Sequence, residues 1–196
     1  MLRPAPVLSM EAFLTSLGIV AIAEIGDRTQ LLALLLASRF RRPVPIIAGI
    51  LVATLANHAL AALAGEWLAA LLTPGLLRWG LGLSFVAMAI WVLVPDKPGD
   101  GRLMGRHGAF LTTLVGFFLC EIGDKTQIAT AALAARYDLL LPVVVGTTSG
   151  MMIANIPTVL LARFAGNRLD AQWARYAAAA IFAAEAALSF VGYSVF

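Results

Sequence analysis

Charge is scarce in this chain. Of its 196 residues, 13% are charged and 61% are hydrophobic, where a water-soluble domain carries roughly 25% charged residues. Water is therefore not its main solvent. A single cysteine, Cys120, excludes a disulfide framework and any CxxC metal site and reads as a small packing residue. Only two histidines are present, so no cluster of soft or borderline ligands points to zinc or copper. The six methionines form no soft-metal stripe and read as packing. The net charge of +3 is dispersed through short connectors, and aromatic stacking motifs are missing, which argues against a nucleic-acid partner.

What remains is apolar length. A helix needs about 20 apolar residues to cross a bilayer, and six stretches qualify: about 11–37, 44–70, 76–94, 109–135, 139–162 and 174–194. Pro43, Pro74, Pro95 and Pro142, with clusters of arginine, punctuate the gaps. The first apolar run continues past Glu24 without a cleavage site, so it reads as a span and not as a signal peptide. The expected fold class is an all-α integral membrane protein of six transmembrane helices, with the lipid bilayer as its partner. Arg39, Arg41, Arg42, Lys97, Arg102, Arg106, Arg163, Arg168 and Arg175 follow odd-numbered spans, whereas the other side receives Arg3, Arg78 and Arg136. That imbalance places the odd connectors in the cytoplasm and both termini outside, which for a bacterial chain means the plasma (inner) membrane.

Against this background stand two polar islands. "EIGDRTQ" occupies Glu24 to Gln30 and "EIGDKTQ" occupies Glu121 to Gln127, differing only at Arg28 and Lys125. The offset of 97 residues also superimposes Gly49 on Gly146, His58 on Asn155 and Phe85 on Phe182. The chain thus divides into a first three-helix repeat (1–94), a cytoplasmic linker (95–108) and a second three-helix repeat (109–196). Three spans per half give the copies opposite orientations, an inverted-topology repeat of the kind found in secondary transporters.

Read as continuous helix, each motif lies near the middle of the bilayer with its two acids about 60° apart on one face. Arg28 and Lys125 fall on that face, flanked by Gln30 and Gln127. Gly26 and Gly123 lie well round the helix, permitting close helix contact or local unwinding. Charges at this depth cost several kcal/mol unless paired, hydrated or bound to an ion. Two structural ion pairs, Glu24–Arg28 and Glu121–Lys125, are one possibility, but they leave a second acid in each motif without a partner. Four carboxylates against two bases leave a net charge of about −2, which suits one divalent cation or two protons. Carboxylate and amide oxygens favour hard ions such as calcium, magnesium and manganese.

The doubled E-x-G-D-[KR]-[TS] motif in a small six-span chain resembles the transmembrane protein 165-like (GDT) family of cation/proton exchangers. The resemblance implies a secondary active transporter that moves manganese, or next calcium, in exchange for protons. Mn2+ or Ca2+ would then be bound as substrate, with no resident cofactor. It also implies that the metal is held by Glu24, Asp27, Glu121 and Asp124. Around them, Arg28 and Lys125 would balance charge, and Gln30 and Gln127 would be auxiliary to the site. Asn57, His58 and Asn155 fit either interhelical hydrogen bonds or auxiliary coordination. "GTTSG", Gly146 to Gly150, reads as a packing face in preference to an unwound coordinating segment. Glu185, in the sixth span, calls for an Arg or His partner or a watery vestibule. A passive divalent cation channel is the alternative reading, and no enzyme is expected. "IGD" is similar to part of the intramembrane aspartyl protease motif, but that motif needs glycine where Glu24 and Glu121 stand, and HExxH is absent.

Overall fold

The computed structural model describes residues 5–91, 93, 108–162 and 172–191. Those residues form eight helices and no strand: α1 (Ala5–Ala23), α2 (Arg28–Phe40), α3 (Pro43–Leu71), α4 (Pro74–Trp91), α5 (Ala109–Glu121), α6 (Lys125–Tyr137), α7 (Leu140–Leu161) and α8 (Gln172–Val191). Three of them, α3, α4 and α7, are long and apolar enough to cross a membrane on their own. The linker 95–108, apart from Gly108, lies outside the described residues.

The first and fourth apolar stretches are not the single helices expected at 11–37 and 109–135. Each is two helices separated by a short break, at residues 24–27 and 122–124. The physical cause is in the motif. Gly26 and Gly123 take positive φ values of 79° and 72°, a left-handed conformation that interrupts a right-handed helix and that glycine adopts at no steric cost. Both α2 and α6 also end in a left-handed residue, Arg41 and Asp138, whose backbone N–H bonds the carbonyls of Ala37 and Ala134. Pro43 and Pro74 then open α3 and α4 at positions where the missing N–H costs nothing.

The two halves interlock. α1 packs chiefly on α7, and α5 packs on α3. A Cβ added at Gly49 would lie 2.8 Å from the Thr113 Cβ and 2.9 Å from the Phe110 carbonyl; at Gly146 it would lie 2.9 Å from the Ser16 Cβ and 2.5 Å from the Phe13 carbonyl. These contacts are the same pair of contacts displaced by 97 residues, exchanged between the halves. "GTTSG" is thus a packing face within an unbroken helix. Phe85 and Phe182, also related by the offset, stack with ring centroids 6.4 Å apart.

Polarity is inverted relative to a water-soluble protein. Glu24, Asp27, Gln30, Thr54, Asn57, His58, Glu121, Asp124 and Lys125 are buried, while Leu51, Leu55, Trp67, Leu83, Ile90, Leu141 and Ile153 are exposed. An apolar exterior around a polar centre suits hydrocarbon solvent, where the costly groups must face inward. The protein is a membrane protein.

Replacing Gly146 by Val drives a side chain into the Phe13 backbone carbonyl, which cannot swing aside. The expected cost is about 1–3 kcal/mol, read as a lowered melting temperature in detergent. Gly80→Ala, where an added Cβ meets nothing within 4 Å, leaves the melting temperature at or above that of the parent.

Candidate functional site

The site is built on the two breaks. Each break exposes backbone N–H groups that a continuous helix would use, and the motif glutamine repairs one of them. Gln30 Oε1 accepts from the Gly26 N–H at 2.7 Å, and Gln127 Oε1 accepts from the Gly123 N–H at 2.7 Å. The amide end of each glutamine then reaches across to the other half. Gln30 Nε2 donates to the Ala154 carbonyl at 2.9 Å, and Gln127 Nε2 donates to Asn57 Oδ1 at 3.3 Å. Ala154 and Asn57 are related by the same offset, so a backbone acceptor on one side stands in for a side-chain acceptor on the other.

Asp27 and Asp124 are the N-cap residues of α2 and α6, both with extended backbone. Asp27 Oδ1 accepts from the N–H of Arg28, the first residue of α2, at 2.7 Å. Asp124 Oδ2 accepts from the Thr126 hydroxyl at 3.3 Å. Their remaining oxygens meet the bases, and the pairing is crossed. Arg28 Nη2 lies 2.8 Å from Asp124 Oδ1, and Lys125 Nζ lies 3.0 Å from Asp27 Oδ2. The within-motif pairs Glu24–Arg28 and Glu121–Lys125 do not form among the described ion pairs. Unwinding turns each base away from its own glutamate and towards the opposite motif.

The two glutamates differ in their surroundings. Glu121, at the end of α5, accepts from the Thr54 hydroxyl at 2.6 Å and from the Asn57 amide at 3.1 Å. Asn57 also donates to the Phe118 carbonyl at 3.0 Å. The corresponding positions on α7 are Met151 and Ala154, which offer no side-chain donor, and both carboxylate oxygens of the fully buried Glu24 are without a hydrogen-bond partner. Glu24 lies within the field of Asp27, Asp124, Lys125 and Glu121, so the four acids and Lys125 form one electrostatic cluster. As the side chains stand, no group of three or more His, Cys, Asp or Glu among the described residues takes a metal-holding arrangement; the aspartates are turned to the bases.

Asn57 therefore joins the cluster directly. His58 is fully buried, and neither ring nitrogen has a hydrogen-bond partner. Asn155 donates to the Met151 carbonyl one turn back, at 3.1 Å, and its Oδ1 has no partner. Among the described hydrogen bonds, none joins either residue to a motif side chain. Thr54, which sequence reasoning passed over, is readable as the polar residue three positions before Asn57 on the same helix face. Glu185 finds its partner in Arg136, on α6; both are buried, so Arg136 is not the free connector charge that the orientation count supposed.

Comparison with known proteins agrees with this chemistry. The family model described as "Divalent cation/proton antiporter GDT1" matches residues 12–100 and 109–194, one stretch in each half. A protein of Vibrio cholerae serotype O1 named "Putative manganese exporter" is 49% identical over 174 residues, covering 88% of this chain and 87% of its own length. "GDT1-like protein 3" of Oryza sativa subsp. indica is 26% identical over 215 residues, covering 94% of this chain and 72% of its own length. No solved structure matches. A polar centre of paired carboxylates in an apolar helical shell, matched along both halves by one antiporter model, leads to a single conclusion: the chain belongs to the GDT1 divalent cation/proton antiporter family.

Proposed function

We propose that this protein exchanges divalent cations, manganese in preference to calcium, for protons, with Glu24, Asp27, Glu121 and Asp124 as the ion-binding groups. The ion enters as substrate, and no resident cofactor takes part. The observation that carries this is the gathering of acids from both halves into one buried cluster whose charges act on one another. Carboxylate oxygens, with the amide of Asn57 and the hydroxyl of Thr54 close by, make a hard donor set suited to Mn2+, Ca2+ or Mg2+. The relative named as a manganese exporter supports the choice of manganese.

In this reading the eight helices make six spans, with α1–α2 and α5–α6 each crossing as one broken helix. Broken helices meeting at the midplane are a recurrent way to build an ion site in secondary transporters. The halves have opposite orientations, the odd connectors face the cytoplasm and both termini lie outside. Metal binds from the cytoplasm, and protons from outside displace it after the halves rock against each other.

Proteoliposomes loaded with a metal-sensitive dye test the reading. Mn2+ flux should follow an imposed pH gradient and should dissipate it; flux that ignores the gradient would indicate a passive channel. Glu24→Gln and Glu121→Gln keep side-chain shape while removing charge, and each should reduce flux to the level of empty liposomes while the protein remains extractable and folded. Wild-type rates in either variant would move the site away from the motifs.

A shared site also fixes stoichiometry. Equilibrium binding to purified protein should saturate at one metal per chain, and neutralising either motif should remove it. Two sites of similar affinity, one surviving when the other motif is neutralised, would overturn the shared arrangement.

A further inference from the structure

The crossed bridges have a symmetry that bears on how an ion enters. Under the 97-residue offset Arg28 becomes Lys125 and Asp124 becomes Asp27, so each bridge is the image of the other. Each ties the first residue of one half's helix to the N-cap aspartate of the other half's helix. Together they hold two carboxylates against two cations, with zero net charge. A buried pair of this kind is expensive to open unless the charges left behind are compensated at once.

We infer that Arg28 and Lys125 are built-in competitors of the transported cation, and that a divalent ion binds by replacing both on the two aspartates. This rests on the proposed function above and adds to it a determinant of ion charge. One dication replaces two tethered monocations, and the aspartate pair stays neutral throughout. A monovalent cation that replaced both bases would leave one buried carboxylate uncompensated, and one that replaced a single base would leave the other bridge closed, so the bridges select for charge before ligand geometry selects for size. The same exchange releases the latch between α2 and α6, because each bridge spans the two halves. Binding is thereby linked to movement of one half against the other through contacts made differently in two states.

The two competitors are not equal. The Lys125 side chain is 4% exposed and that of Asp27 is fully buried, whereas the Arg28 side chain is 33% exposed. Screening by water weakens the Arg28 bridge, so Arg28 should oppose the ion less than Lys125 does.

The test is Mn2+ binding to the purified full-length protein by calorimetry, at one mildly alkaline pH where protons compete little. Lys125→Gln should bind Mn2+ roughly tenfold more tightly or better, because a positive charge leaves a low-dielectric site. Arg28→Gln should tighten binding by a smaller factor, and Lys125→Arg, which keeps the charge, should stay near the parent. A merely structural role predicts weaker binding in every variant that breaks a bridge. If Lys125→Gln does not fold, Arg28→Gln decides the matter, since its partner Asp124 keeps the Thr126 hydroxyl. Folded Lys125→Gln and Arg28→Gln variants that bind Mn2+ with parental or lower affinity would overturn the inference. Asp27→Asn separates this from failure of the underlying site: unchanged binding there refutes the site itself, whereas lost binding there with no tightening in the bridge variants refutes only the competition.

Discussion

Ionised side chains in a low-dielectric interior must be neutralised by partners that the protein itself supplies, and the crossed bridges meet that requirement. Asp27 and Asp124 are almost wholly buried, and each is held by a base from the opposite half. Neither half could be complete alone, because each would retain an aspartate and a base that face the partner. The interlocking of α1 with α7 and of α5 with α3 follows the same logic. It brings both motifs to one place, and the close approaches at Gly49 and Gly146 allow the helices to come near enough.

Breaking the helices is what aims the charges. In an unbroken helix Glu24 and Arg28 would be one turn apart and would pair locally, as would Glu121 and Lys125. A left-handed glycine in each motif reorients the following residues, so that the aspartate becomes an N-cap and the base points across the interface. The glutamine three residues beyond each aspartate then satisfies the N–H freed by the break. Every member of the seven-residue motif except the isoleucine thus has a conformational, electrostatic or hydrogen-bonding task, the threonine in the second motif only, where Thr126 donates to Asp124. The two halves also treat their glutamates differently. Thr54 and Asn57 hold Glu121, whereas Met151 and Ala154 leave Glu24 without a donor. The cluster is therefore reciprocal in its bridges and unequal in its glutamates.

Much of this was legible in the linear chain. Scarcity of charge gave the membrane class, and recurrence at a fixed offset gave the duplication. The isolation of two seven-residue motifs, each with five polar side chains, within apolar runs pointed to where the cluster lies. Asn57 was identifiable as a polar residue in a span, and Thr54 would have been with attention to the helix face it shares with Asn57. The Arg136–Glu185 pair was only half visible: Glu185 plainly needed a partner, but Arg136 looked like a connector charge because its burial depends on α8 packing nearby.

By itself the sequence determined the helical membrane class and the two polar motifs that the folded chain brings together, because these depend on residue identity, spacing and hydropathy along the chain. Only the tertiary structure decided who pairs with whom. Pairing depends on dihedral angles at Gly26 and Gly123 and on the approach of helices distant in sequence, and neither is set by spacing along one helix. A positive φ at one residue turns a local ion pair into a bridge between halves, and that change of direction is invisible until the chain is folded.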